Sequence, residues 1–381
     1  METKKLKIII NDVSVSLFAF DGGQGVREYL AMLTCTNPEQ SFEEQARAMA
    51  NSCEEIRTSN FHGHLGKLSE AHPVFKRYYL SDAANQLETL QKVIGEQDCA
   101  VSYVQQPPLQ GAKLGLWVYL MAGTENHKID DNMFAVTHNG YTELWSAQLM
   151  AAGKNAFDQT FDIMTTYAQR LRNLGCTLAD NCLRTWLYVN DIDNHYDGVV
   201  KGRNAVFDTE HLTDDTHFIA STGIGGRCAD HRALCMMNAY AIKGIKPNDV
   251  RHLYALDHLN RTSDYGVRFE RGSYIDFAGR RKVFISGTAS IDNKGAIMHV
   301  GDIRQQVHRM WENIRALLAE GECTFDDVAE MTVYLRDTAD YKVVSDMFAQ
   351  KFPDTPYIIV LAPVCRPGWL VETECLALKK L

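Results

Sequence analysis

Apolar positions recur at helical spacing in two stretches of this chain. Ile303, Val307, Met310, Ile314, Leu317 and Leu318 predict a helix from Asp302 to about Ala319, stopped by Gly321. Phe161, Met164, Tyr167, Ala168 and Leu171 predict another over 157–173. Around the later helix, residues 282–287 read as a strand ending in a glycine turn, and 329–335 as a second strand. A helix follows over 341–352, ended by Pro353 and Pro356. Strands over 357–364 and 370–378, joined by the turn Arg366-Pro367-Gly368, complete the C-terminal third. The middle third repeats this order, with strands at 142–149 and 183–189, a helix near 196–207, and strands at 218–224 and 233–242. The N-terminal third is more divergent. It offers helices at 42–56 and 83–94, a strand at 75–80, and a closing hairpin of 100–106 with 113–121. An insertion over 58–73, rich in His, Ser and Gly, reads as a loop, and 123–131 and 244–258 read as polar linkers.

Two of the thirds overlay at one register. Gln159, Cys176, Thr177, Asp180, Thr185 and Asp193 are each followed 147 positions later by the same residue: Gln306, Cys323, Thr324, Asp327, Thr332 and Asp340. So many matches at one offset mark an internal repeat. The pattern predicts three α+β units of order β-α-β-α-β-β, over 1–125, 130–245 and 258–381, each with two helices on one mixed sheet. The units are expected around an approximate threefold axis with sheets inward and helices outside.

Composition narrows the class. The chain has 381 residues, 45% hydrophobic and 23% charged, as in ordinary globular proteins. A net charge of −9 argues against a phosphate-backbone binder, so no nucleic-acid partner is expected. No apolar run reaches spanning length and the opening METKKLKIII lacks a signal pattern, which predicts a cytoplasmic protein without a membrane partner. The ten cysteines form no CxxC and the thirteen histidines no HExxH, so no disulfide and no metal are expected.

Several phrases of the third copy carry a family signature. Phe284-Ile285-Ser286-Gly287-Thr288-Ala289-Ser290, Gly301-Asp302, Gln305, Asn313, Gly321, Asp327, Val333-Tyr334-Leu335, Asp340 and Leu370-Val371-Glu372-Thr373-Glu374 resemble the RidA (YjgF, endoribonuclease L-PSP-like) superfamily. The resemblance implies a chorismate-mutase-like fold and ligand clefts between subunits. Three tandem RidA-like copies would then build the trimer-like ring covalently, as a pseudo-trimer that is monomeric or a small homo-oligomer. A narrower resemblance is to the chorismatases, which hydrolyse chorismate. It rests on Ser286–Ile291 with His299 and Gly301-Asp302, on Cys365-Arg366-Pro367 before Leu370-Val371-Glu372, and on Asn190-Asp191-Ile192, Gly202-Arg203 and Ser221–Gly225.

The resemblance also places candidate chemistry. Simpler family members use a Glu in the last strand to orient water or donate a proton, and that place matches Glu372. The corresponding positions in the other copies fall near Met236 and Gly115, which transfer no protons. The family's carboxylate-gripping Arg falls near Tyr357 or Ile358 and is missing, which weakens a simple imine-deaminase reading. Arg366, Arg203 and Arg271 are the candidate substitute cations, the alternative for Arg366 being a solvated turn arginine; Tyr274 matches a pocket-lining tyrosine, and Gly287 matches a glycine permitting close ligand approach. A carboxyl inside an apolar strand costs much to bury while charged, so Glu372 is the candidate general acid, the alternative being an exposed strand carboxylate. Cys365 is placed at the pocket as a lining thiol rather than a nucleophile, since no His is paired with it. Trp117, Trp145 and Trp186 are assigned to the core. Three functions stay open: a chorismatase-like hydrolase or lyase of a small carboxylated metabolite needing no cofactor, a RidA-like enamine or imine deaminase, and a non-catalytic small-ligand binder.

Overall fold

The computed structural model describes residues 3–58 and 68–381, which form three six-stranded mixed sheets of identical strand order. The first sheet holds β1 (Thr3–Ile10), β2 (Val13–Asp21), β3 (Arg27–Cys35), β4 (His72–Leu80), β5 (Ala100–Gln105) and β6 (Leu114–Ala122), with helices α1 (Phe42–Thr58) and α2 (Ala83–Ile94). The second holds β7 (Glu125–Asp130), β8 (Met133–His138), β9 (Tyr141–Leu149), β10 (Cys182–Val189), β11 (Ala220–Gly225) and β12 (Cys235–Lys243). Its helices are α3 (Ala156–Asn173), the short α4 (Leu178–Asn181) and α5 (Ile192–Thr209). The third holds β13 (Val250–Leu253), β14 (Gly272–Phe277), β15 (Arg280–Ala289), β16 (Val328–Leu335), β17 (Tyr357–Leu361) and β18 (Val371–Lys380), with α6 (Ile303–Glu320) and α7 (Tyr341–Lys351). In each sheet the last strand lies between the third and fourth, giving β1-β2-β3-β6-β4-β5 and its two counterparts.

The repeated residues explain themselves locally. Gln159 of α3 accepts from Leu234 N at 2.7 Å and donates to the Arg232 carbonyl at 2.8 Å. Gln306 of α6 does the same to Leu370 N and the Gly368 carbonyl, both at 2.9 Å. Each glutamine therefore pins the connection that enters the last strand. In the first repeat Gln45 accepts from Lys113 N at 2.9 Å, a third copy that the sequence comparison misses. The Thr177/Asp180 and Thr324/Asp327 pairs cap the turn before the next strand, Thr177 Oγ1 accepting from Asp180 N and Thr324 N donating to Asp327.

One face of the first two sheets buries its own helices, as Met164, Tyr167 and Leu171 of α3 do against Leu187 and Met237. The opposite faces meet in a shared centre. Phe75, Trp117, Trp145, Trp186, Tyr240 and Phe284, drawn from all three sheets, belong to one buried cluster. The Phe75 ring lies 5.2 Å from Trp117 and 5.1 Å from Trp145. The three tryptophans thus fill the space between sheets rather than beneath helices. Sheet edges also join between repeats: Gln105 N donates to the Arg227 carbonyl, Glu270 N to Ile219, and Leu109 N to Ile359. Edges that would otherwise invite association are satisfied inside the chain.

Strand register identifies equivalent positions in the three copies. Tyr79 faces Gly115, Tyr188 faces Met236, and Tyr334 faces Glu372. Six residues further on, Met121, Ile242 and Leu378 face Glu28, Glu143 and Lys282. These last three therefore occupy one equivalent position. All are fully buried, with Lys282 Nζ 3.1 Å from Glu28 and 2.9 Å from Glu143. Arg280 also pairs with Glu28, and His138 with Glu143.

Several expectations need correction. The order β-α-β-α-β-β places one strand before the first helix, whereas each repeat has three there, residues 3–35 forming three antiparallel strands in the first. The supposed linkers 123–131 and 244–258 contain β7 and β13. The closing pairs are not hairpins: β5 and β17 run parallel to β4 and β16 at an edge, while β6 and β18 enter the middle of their sheets. Two adjacent apolar strands in sequence look like a hairpin, but a crossing connection separates them in space. β15 does not end at Gly287; it continues to Ala289 through a bulge between Ile285 and Thr288. Of the 58–73 loop, residues 59–67 lie outside the described residues, while His72 and Pro73 already belong to β4.

Candidate active site

A cleft opens between the second and third repeats. Tyr196 and Arg203 reach it from α5, Ser221 and Thr222 from β11, and Gly287 and Ala289 from the bulged end of β15. Cys365, Arg366 and Trp369 come from the β17–β18 connection, Phe269 and Arg271 from the segment ahead of β14, and Glu372 from β18. Close helix packing brings Arg203 in: a Cβ on the adjacent Gly202 would stand 2.6 Å from the Phe157 carbonyl of α3, so only glycine lets α5 approach this far.

Glu372 is 5% exposed, which removes the solvated-strand alternative. Burial raises its pKa to about 8, the nearby Glu374 adds to the rise, and Arg271 and Arg184 oppose it. It is thus a carboxylic acid at neutral pH. Gly287 makes room for it, since a Cβ there would lie 2.0 Å from Glu372 Oε1 and 3.0 Å from Thr222 Cγ2. Glu374, two residues along the same face, is no solvated partner. It takes Arg184 Nη2 at 2.7 Å, Trp186 Nε1 at 2.8 Å and Arg77 Nη1 at 3.3 Å, tying all three repeats together.

The cations line the cleft with aromatic neighbours. Arg366 Cζ lies 4.9 Å from the Trp369 ring, whose Nε1 donates to the Ser290 carbonyl at 3.0 Å. The Arg271 guanidinium is oriented by the Asn260 carbonyl and by Asn260 Oδ1 at 3.0 Å. Burial and the adjacent Glu372 push the Cys365 thiol up to about 12, so it is a protonated wall group rather than a nucleophile.

Of the residues singled out in the sequence, the cleft brings together Glu372, Arg366, Cys365, Arg271, Gly287 and Arg203. Tyr274 is not among them. On β14 it alternates with Ser273, whose hydroxyl reaches the Leu183 carbonyl, and its ring lies 4.3 Å from the Arg281 guanidinium on the other face. Thr222, Tyr196, Phe269 and Trp369 were missed as site residues. Thr222 could have been found through the Ser221–Gly225 phrase, whereas Phe269 lies in an irregular segment without a pattern. The place opposite Glu372 also differs from expectation. The strand facing it is β11 of the preceding repeat, where Thr222 stands at the position of Ile358 in the third repeat; no arginine occupies either place.

The two equivalent clefts are filled. At the first repeat, Ile358 Cδ1 would lie 2.5 Å from a Cβ on Gly115 and Pro108 Cγ 3.4 Å, so the strands close on each other. At the second, buried Met236 stands in the Glu372 position. Gln148, at the bulge corresponding to Gly287, accepts from Tyr103 N at 2.9 Å. Among the described residues no group of three or more His, Cys, Asp or Glu is placed to hold a metal, and no helix is long and apolar enough to cross a membrane.

The third repeat is an α+β unit of the RidA superfamily. Residues 271–379 match the endoribonuclease L-PSP family. A RutC family protein of Pyrococcus abyssi is 32% identical over 100 residues, covering 26% of this chain and 79% of that protein. The 3-aminoacrylate deaminase RutC of Acinetobacter baylyi is 32% identical over 98 residues, covering 25% and 77%. The chain belongs to this superfamily. A crystal structure of a chorismatase matches the larger fold, with a TM-score of 0.63 over 84% of this chain and 95% of that one at 19% identity. The three-repeat architecture is therefore chorismatase-like.

Proposed function

We propose that the protein hydrolyses a small enol ether bearing carboxylates, chorismate or a close analogue, in the cleft between its second and third repeats. The observation that carries this reading is a buried, protonated Glu372 in a cleft that also presents Arg203, Arg271 and Arg366. Guanidinium groups suit carboxylates, and Phe269 and Trp369 offer apolar walls for a ring. Glu372 would donate its proton to the methylene carbon of the enol ether, leaving an oxygen-stabilised cation. Water adds to the ether-bearing carbon of that cation and returns a proton to Glu372. The resulting hemiketal collapses: its hydroxyl becomes the carbonyl, the bond between the hemiketal carbon and the bridging oxygen breaks, and that oxygen leaves on the ring with a proton, giving a keto acid and an alcohol. Water and one recycled proton balance the reaction, so no cofactor is called for. A general acid of this kind contributes roughly 10²–10⁴-fold.

The likeness to 3-aminoacrylate deaminase favours a second reading, hydrolysis of an enamine or imine acid. Against it stands the absence of arginine at Thr222 and Ile358. The deciding experiment is incubation with chorismate and, separately, with freshly generated 2-aminoacrylate, following pyruvate and ammonia. Pyruvate from chorismate that disappears in Glu372→Gln supports the first reading. Ammonia release from 2-aminoacrylate alone replaces it with the second. Thermal stabilisation by chorismate without turnover would leave a binding protein.

A further inference from the structure

Thr222 joins two donors that belong to different repeats. Its Oγ1 accepts from the Gly287 N–H of β15 at 2.8 Å and also from Arg184 Nη2 of β10. A threonine hydroxyl has two acceptor lone pairs, and both are used here. Arg184 is fixed in turn by Glu374 at 2.7 Å and directs Nη1 toward Ser286 Oγ at 3.4 Å. Ser286 Oγ accepts from Ser221 N at 2.9 Å and donates to the Glu270 carbonyl at 2.6 Å, closing the β11–β15 seam. Thr222 is 1% exposed, and its methyl lies 3.0 Å from the place a Gly287 Cβ would take, which is also the place nearest Glu372 Oε1.

We propose that Thr222 is a positioning residue for Glu372. Its hydroxyl occupies two N–H donors beside the acid and so holds Glu372 protonated against the Gly287 bulge. The inference rests on the reading of Glu372 as the acid. A donor aimed at a carboxylate favours its charged form, so a site needing a neutral acid has to keep nearby donors engaged elsewhere. The charged and titratable groups around Glu372 are Glu374 on its own strand, Tyr334 facing it on β16, Arg184 on β10, Arg271 ahead of β14, Arg203 and Tyr196 on α5, and Cys365 with Arg366. Arg184 and Gly287 N are the donors that Thr222 holds. Loss of the hydroxyl leaves the Gly287 N–H beside Glu372 without its acceptor and leaves Arg184 one partner fewer, held by Glu374 and Ser286, while the bulge loses its tether across the repeat junction.

The test is an infrared titration of the full chain. The carboxylic-acid C=O band of Glu372 is assigned by its absence in Glu372→Gln, which separates it from Glu330, a second buried acid with a pKa near 8. Thr222→Val keeps the shape and removes the acceptor. Its Glu372 midpoint should fall by about one pH unit or more, while Thr222→Ser, which retains the hydroxyl, should stay within a few tenths. Thr222→Ala removes the same acceptor with less bulk and replaces the valine variant if that one does not fold. An unchanged midpoint in the valine or alanine variant, or an equal shift in the serine variant, overturns the proposal. The titration uses no substrate, so its outcome is separate from whether wild type hydrolyses chorismate. Where wild type does turn chorismate over, the high-pH limb of kcat in Thr222→Val should move down with the midpoint while KM changes little.

Discussion

Replacing Glu372 by glutamine should make the protein more stable, and by an amount that depends on pH. The carboxyl is buried and its pKa stands at about 8 in the folded chain, against an ordinary value of 4.5. Between these values the unfolded chain has lost the proton and the folded chain keeps it. Stability therefore falls as pH rises through that window, by about 1.4 kcal/mol per pH unit, and levels off above pH 8. The accumulated cost is roughly 3 kcal/mol at pH 7 and 5 kcal/mol above pH 8. Glutamine copies the shape of the neutral acid and has no such cost. Urea unfolding of wild type and Glu372→Gln at pH 5, 6, 7 and 8 should show a small difference at pH 5 that widens with each step. Glu330, also raised to about 8, gives both proteins a common slope that cancels in the comparison. A difference that stays constant over this range would mean that Glu372 titrates normally in the folded protein, and the assignment of a neutral acid at pH 7 would fall with it.

Gly287→Ala places a methyl 2.0 Å from Glu372 Oε1, so overpacking should cost about 1–3 kcal/mol. Combined with Glu372→Ala, which removes the opposing carboxyl, the loss should be largely recovered; strict additivity in the double-mutant cycle would contradict the contact. Lys282→Met strips the ammonium from between Glu28 and Glu143, all fully buried, and should destabilise by about 3–5 kcal/mol in chemical denaturation. Restoration toward wild type by adding Glu143→Gln would show that unpaired buried charge is the cause.

The α+β repeat was legible because its helices carry wide apolar stripes and because Gln159 and Gln306 perform the same pinning task. The strands of 3–35 were less so: β1 alternates weakly, with Lys4, Lys5 and Lys7 among its residues, and β2 alternates only over Val13-Ser14-Val15-Ser16 before the apolar run Leu17-Phe18-Ala19-Phe20. Strand order was hidden for another reason. Whether β18 pairs with its sequence neighbour β17 or inserts between β15 and β16 is decided by the crossing connection, and local alternation is the same in both cases. At the site, Glu372 and Gly287 could be read from the third repeat alone. Thr222 and Tyr196 could not, because their importance arises from a junction between residues about 65 to 175 positions apart. Tyr274 failed by one step of strand alternation relative to Ser273.

The position shared by Glu28, Glu143 and Lys282 is one that separate identical chains could not build. A symmetric ring brings the same residue to its axis from every subunit, so any charge there meets copies of itself. Here the three contributions are encoded independently: two carboxylates share a lysine, and Arg280 pairs with one of them, Glu28. Their encounter is intramolecular, set by the length of the intervening chain and not by how much protein is present. Dilution, which pulls free subunits apart, leaves this ionic junction intact.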